Sequence, residues 1–257
     1  MDTLPERIML LNVPIDIVPP EELPSVIEKL MPYKDEPWYL QKNRNIVLLS
    51  LWDLLRYRRN DDYRSYVNNA ALIIPISKSL VNGAIFLTGK KPVRYMPFNF
   101  IINLLSILER KERSIFLLGG KGQILKKTEK NLRATFPQLS IVGRHEAKIR
   151  KRQEPAVLEA IRKAAPDLLL VGKGIRGQEL WIAKNSGSLN LGFRLWCSDL
   201  FDVIAEKRKR PSDTVFRLGL ESIGFCLRNP LKFFRIFAYL YYRLLLIYYR
   251  LFKWQKD

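Results

Sequence analysis

Residues 165–185 read APDLLLVGKGIRGQELWIAKN. Pro166-Asp167 punctuates the chain, and residues 168–171 form a continuous apolar run, the pattern of a strand covered on both faces. Gly172 and Gly174 follow at its C-terminal end, where a residue without Cβ lets backbone come close to a ligand. The same pair also reads as a plain tight turn. Gln178, Glu179 and Trp181 then open a helix. In an open parallel α/β sheet, ligands bind in the crevice outside the carboxyl ends of the strands, so this turn is where function is sought first.

Working outward, the same strand–turn–helix unit recurs. Ser114–Leu118 is the clearest strand, closed by Gly119-Gly120-Lys121-Gly122 before a helix over 123–135. A glycine-rich turn entering a helix N-terminus suits a phosphate, because free N–H groups and the helix dipole both favour an anion. It lacks the Rossmann glycine spacing and the Lys-Ser/Thr ending of a P-loop. Further strands are expected at 45–51, 70–76, 139–142 and 189–195. Helices are expected at 19–30, 52–57, 63–69, 97–109, Glu154–Ala164 and 215–227. Residues 8–17 read as an extended segment, and 32–42 as a polar, proline-punctuated loop. Strands alternating with helices predict an α/β fold, a Rossmann-like, mostly parallel sheet with helices on both faces. The expected organisation is an α/β domain over 1–227 and a basic, aromatic tail over 228–257.

The 257-residue chain carries 44 Lys and Arg against 25 Asp and Glu, a formal net charge of +19. Such a balance points to an anionic partner: nucleic acid, an acidic membrane surface or a phosphorylated substrate. A hydrophobic content of 47% rules out a disordered chain. One histidine, His145, and two cysteines, Cys197 and Cys226, exclude a zinc cluster and a disulfide framework. No metal site and no cofactor are expected. The first ten residues carry Asp2 and Glu6 and no long apolar run, so no signal peptide is read there.

The last thirty residues carry the strongest physical signal. From Arg228 onward there are seven cations against one acid, Asp257. At helical spacing Lys232, Arg235, Arg243, Arg250 and Lys253 fall on one stripe, with Phe, Tyr, Leu and Ile filling the rest. The window 233–252 is long enough to span a bilayer, but its three arginines each cost about 2.5–3.5 kcal/mol at a helix centre. A helix lying in the interface fits better, its apolar face buried and its cations on anionic headgroups. The alternative is a terminal helix packed on its own domain or on a partner helix. No nucleic-acid-binding motif accompanies the charge, so no nucleic acid partner is expected. A homo-oligomer is left open.

Taken together, Ser114 to Gly122, Phe136-Pro137, residues 165–181, Phe201-Asp202 and Gly219-Leu220-Glu221 give the chain a family likeness. It resembles the WecG/TagA/CpsF glycosyltransferases, the N-acetylmannosaminyltransferases of teichoic-acid and enterobacterial-antigen synthesis. The family's motif of a glycine pair followed by Pro-Lys-Gln-Glu and an aromatic appears as Gly172-Lys-Gly174-Ile-Arg-Gly-Gln178-Glu179-Leu-Trp181. Arg176-Gly177 replaces the Pro-Lys pair. The Phe-Asp segment before a basic stretch matches Phe201-Asp202 and Lys207 to Arg210. Arg94 falls where the family has an arginine thought to steady the diphosphate.

The resemblance implies an inverting, metal-independent transfer of a sugar, plausibly an N-acetylhexosamine, from a UDP-sugar to a membrane polyprenyl-linked acceptor. It places the protein at the cytoplasmic face of the cell membrane, in surface-polymer synthesis. It implies Arg94, Gly119, Gly120, Gly172, Gly174, Gln178, Glu179 and Asp202 as substrate-binding residues. One departure bears on activity. The family's strand end reads Pro-Asp-Gly, with the aspartate as proposed general base, and here it reads Pro75-Ile76-Ser77. Ser77 and Lys78 are the nearest polar groups, and Asp53, Asp61 and Asp62 are the carboxylates nearby in sequence. A relative that keeps the fold but acts as a membrane-bound scaffold or regulator is the competing reading.

Overall fold

The computed structural model describes residues 4–31, 44–189, 192–210, 212–219 and 234–252. A small antiparallel hairpin, β1 (Glu6–Leu10) and β2 (Val13–Ile17), precedes helix α1 (Leu23–Leu30). The expected extended segment is therefore two strands. Leu11 and Asn12 turn it with φ of 52° and 66°, the left-handed pair that a two-residue hairpin needs. Neither residue is a glycine, which is why the turn is hard to see in sequence.

The main sheet has six strands, all parallel, in the order β4-β3-β8-β7-β5-β6. They are β3 (Asn45–Leu49), β4 (Ala70–Pro75), β5 (Ser114–Leu118), β6 (Ser140–His145), β7 (Leu168–Gly172) and β8 (Phe193–Ser198). The last strand overlaps the expected 189–195 but starts and ends later, and it fills the centre between β3 and β7. Asp16 joins the hairpin to edge strand β4. Its Oδ2 accepts from Ile73 N at 2.7 Å, and Arg7 pairs with its other oxygen at 2.6 Å. Asp167, the punctuating residue of the opening stretch, accepts from the N–H of Ser114 at 2.8 Å and so ties the start of β5 to the start of β7.

Helices cover both faces. One core contains α1, α5 (Pro97–Arg110), α6 (Gly122–Thr135) and α9 (Leu200–Ile204). The other contains α2 (Leu51–Tyr57), α3 (Asp61–Asn68), α4 (Lys78–Thr88), α7 (Glu154–Ala164), α8 (Glu179–Lys184) and α11 (Phe234–Phe252). The α/β architecture with a mostly parallel sheet is as the strand–helix alternation predicts. Helix α4 covers a stretch for which no element was expected. Of the helix expected over 215–227, α10 (Asp213–Leu218) is seen, ending at Gly219 with φ 75°; residues 220–227 lie outside the described residues.

Helix α11 docks on the α/β unit. Tyr242, Leu246 and Tyr249, spaced i, i+4, i+7, are buried in the core. The Tyr242 hydroxyl donates to Ser79 O at 2.9 Å, and that of Tyr249 accepts from Arg58 at 3.1 Å and Asn12 at 3.3 Å. Gly83 makes this possible, because a Cβ there would collide with the Tyr242 hydroxyl. In most helices Gly→Ala gains roughly 0.5–1 kcal/mol. Here overpacking of about 1–3 kcal/mol should outweigh it, and Gly83→Ala should lower the melting temperature. A raised melting temperature would mean that α11 does not rest on α4.

Candidate active site at the carboxyl edge of the sheet

Strands β3 and β4 end side by side. Ser50 caps α2 in a reciprocal box with Asp53: Asp53 Oδ2 accepts from Ser50 N at 2.8 Å and from Ser50 Oγ at 2.5 Å. Burial pushes the Asp53 carboxyl up, against the hydrogen bonds from Ser50. Ser77 Oγ accepts from Leu51 N at 3.1 Å, so this hydroxyl also serves the start of α2. Lys78 is exposed and passes close to Gly219. Asp61 and Asp62, by contrast, sit exposed in the first turn of α3.

Ile76 stands at the end of β4 with its N–H on Leu49 O at 2.9 Å. Arg94 holds the same corner. Its Nε donates to Ile76 O at 3.0 Å, another nitrogen to Phe216 O at 2.6 Å, and its guanidinium lies 3.7 Å from the Phe216 ring centroid. The arginine expected to meet a diphosphate thus ties α10 over the end of β4.

Glu179 opens α8 and is only 6% exposed. One of its oxygens is ion-paired with Arg56 of α2, and Arg56 lies 4.4 Å from the Tyr63 ring centroid. The other, Oε2, is buried and has no hydrogen-bond partner among the described residues. Burial raises the Glu179 carboxyl above its ordinary 4.5, with nearby Asp53 acting in the same direction. A raised carboxyl holds its proton more tightly folded than unfolded, so stability falls as pH climbs from 4.5 through the folded value. Glu179→Gln should flatten that fall, read as melting temperature against pH. An unchanged profile would place the titrating group elsewhere. Arg56 was not anticipated; its i, i+3 spacing from Asp53 on one helix was the available signal.

Gln178 is exposed and sits at the cap of α8 with φ 54° and ψ −127°, a conformation a non-glycine residue adopts at a cost of order 1–3 kcal/mol. The glycines around it serve close approach within the chain. A Cβ on Gly172 would lie 2.6 Å from the Phe201 ring, and one on Gly119 would lie 2.6 Å from Gly172 O. Three of the N–H groups expected to be free at 119–122 are engaged. Gly119 donates to His145 O at 2.9 Å, Gly120 to Lys173 O at 2.7 Å, and Gly122 to the Glu146 carboxylate at 3.2 Å. An internal carboxylate already occupies the start of α6. Asp202, 4% exposed, is ion-paired with Lys173.

Beside this loop lies a cleft of about 570 Å³, lined by Lys148, Lys151, Glu154, Gly174, Arg176, Trp181 and Lys184 among others. Trp181 Nε1 donates to Glu154 at 2.7 Å and fixes the cleft floor. Four cations face one acid here, Arg176 and Lys184 from the opening stretch of sequence and Lys148 and Lys151 from the segment before α7.

Comparison with known proteins gives two findings. Residues 8–257 match the model of the glycosyl transferase WecG/TagA/CpsF family. Among characterised proteins, the N-acetylglucosaminyldiphosphoundecaprenol N-acetyl-beta-D-mannosaminyltransferase of Bacillus spizizenii is 22% identical over 84% of this chain and 82% of its own. Its Bacillus subtilis counterpart is 23% identical over 70% of each chain, and a Staphylococcus aureus one 23% over 63% of each.

Proposed function

This chain belongs to the WecG/TagA/CpsF glycosyltransferase family, and we propose that it transfers a sugar, an N-acetylhexosamine, from a UDP-sugar to a polyprenyl-linked acceptor while bound to the cytoplasmic face of the membrane. The observation that carries the reading is the basic cleft walled by the family motif at the sheet's carboxyl edge. Lys148, Lys151 and Arg176 supply the positive field that a departing nucleoside diphosphate needs. Glu179, held by Arg56 and keeping one oxygen for a ligand, suits sugar hydroxyls. Gln178 and Gly174 belong to the motif loop at this cleft, Asp202 is paired with Lys173 of the same loop, and Arg94 would contribute from the end of β4.

Calorimetry with UDP tests the reading. Arg176→Glu with Lys151→Glu should weaken UDP binding at least tenfold, at about 1.4 kcal/mol per decade, without loss of fold. Retained affinity in the folded double variant would place the nucleotide elsewhere.

Ile76 supports a second reading. With no carboxylate at the end of β4, the chain is a fold-retaining, membrane-bound scaffold or regulator. It binds UDP and does not turn over.

The described part of the tail bears on the membrane proposal. Opposite its docked face, α11 exposes Phe237, Leu240, Leu244, Ile247 and Leu251, spaced 3, 4, 3 and 4 residues apart. Among the described residues no helix is long and apolar enough to cross a membrane. Of the cation stripe, Arg243 is exposed, whereas Arg250 bonds Phe86 O and stacks on the Phe86 ring. Lys232, Lys253 and the side chain of Arg235 lie outside the described residues.

A further inference from the structure

A second cleft, of about 570 Å³, runs between α2 and α11. Its walls are Trp52, Arg56 and Arg59 on one side and Phe237, Ala238 and Tyr241 on the other. Two observations limit what can occupy it. The lining is apolar apart from two cations, Arg56 in the last turn of α2 and Arg59 just past its end, and Arg59 lies 5.6 Å from the Tyr241 ring centroid. The cleft is also continuous with two other features. Phe237 and Tyr241 belong to it and to the exposed surface of α11, being 67% and 41% exposed. Arg56 belongs to it and to the buried pair with Glu179.

A ligand filling this cleft needs a long apolar chain ending in an anion. A free nucleotide leaves the apolar walls unused, and a simple lipid tail leaves the arginines unused. We infer that the cleft between α2 and α11 seats the first isoprene units and the diphosphate of a polyprenyl-diphosphate acceptor, leading it from the exposed α11 surface to the Arg56–Glu179 pair. The inference rests on the transferase reading for the acceptor's class, and on the cleft alone for its place.

Trp52 supplies a probe that does not depend on turnover. A polyprenyl diphosphate brominated in its first isoprene units, presented to the full-length protein in detergent micelles, should quench tryptophan fluorescence. Trp52→Phe should remove most of the quenchable signal. The brominated polyprenol without diphosphate should quench at least tenfold less well. Ala238→Phe, which fills the cleft, should abolish quenching and raise the KM for a long-chain lipid-linked acceptor at least tenfold. It should leave UDP affinity unchanged.

Quenching that survives both Ala238→Phe and Trp52→Phe overturns the inference, as does equal quenching by the alcohol. Quenching as expected with no transfer from any UDP-sugar keeps the lipid seat and overturns the transferase reading. Transfer with a KM unmoved by Ala238→Phe keeps the transferase and removes the seat.

Discussion

Leu244→Glu combined with Leu251→Glu is expected to abolish sedimentation of the protein with anionic vesicles. Both side chains lie on the exposed stripe of α11, 65% and 68% accessible, so neither contributes to the folded core. Each leucine buried in a bilayer interface contributes about 1.5–3 kcal/mol, and each added carboxylate opposes the anionic headgroups by roughly 1 kcal/mol. Together that is at least ~10³-fold in partitioning. Salt should weaken attachment of the parent only in part, since buried apolar area is not screened. Unchanged sedimentation would refute membrane contact through this stripe. Loss of self-association in place of vesicle binding would assign the stripe to a second copy.

Point substitutions are the right probe because the tail helix has two faces. Cutting the chain after Asn229 would remove the exposed stripe, but it would also strip Tyr242, Leu246 and Tyr249 from the core. Three such side chains contribute about 1.5–3 kcal/mol each, a large share of the 5–15 kcal/mol that a domain has in total. Loss of binding by a truncated chain would therefore be confounded with loss of fold.

The tail also shows what sequence could convey. Its apolar content was plain, but which part covers α4 and which faces outward depends on Gly83, some 160 residues away. Strands β5 and β7 were legible because a strand buried on both faces is a continuous apolar run. Strand β8 was placed too early because Leu189, which belongs to the turn after α8, is as apolar as the strand itself. At the site, the motif glycines were legible but their local purpose was not. Only the folded chain shows that Gly119 clears space for Gly172, and Gly172 for Phe201. The Arg56–Glu179 pair joins residues 123 apart in sequence, a separation no local pattern records.

Ile76→Asp is expected to raise the rate of transfer to a lipid-linked acceptor by about 10²–10⁴-fold over a slow parent. Transfer requires a base to take the proton of the acceptor hydroxyl as its oxygen bonds to the sugar and the nucleoside diphosphate leaves. Ile76 is half-buried at the carboxyl end of β4, and its backbone is fixed by Leu49 and Arg94. A carboxylate there would emerge at the same edge as Glu179. Asp53 is the resident competitor, but one of its oxygens already accepts two hydrogen bonds from Ser50, the bonds of a helix cap. Asp53→Asn should therefore cost about 0.5–2 kcal/mol of stability and leave the rate per folded molecule unchanged. Fast turnover by the parent that is lost in Asp53→Asn would reverse the assignment. The rate of that parent should then rise with pH through a carboxyl pKa above the ordinary range, since burial raises Asp53 and the base must be ionised. No turnover in either protein, with UDP still bound, would leave the chain a scaffold that has kept the family's cleft without its chemistry.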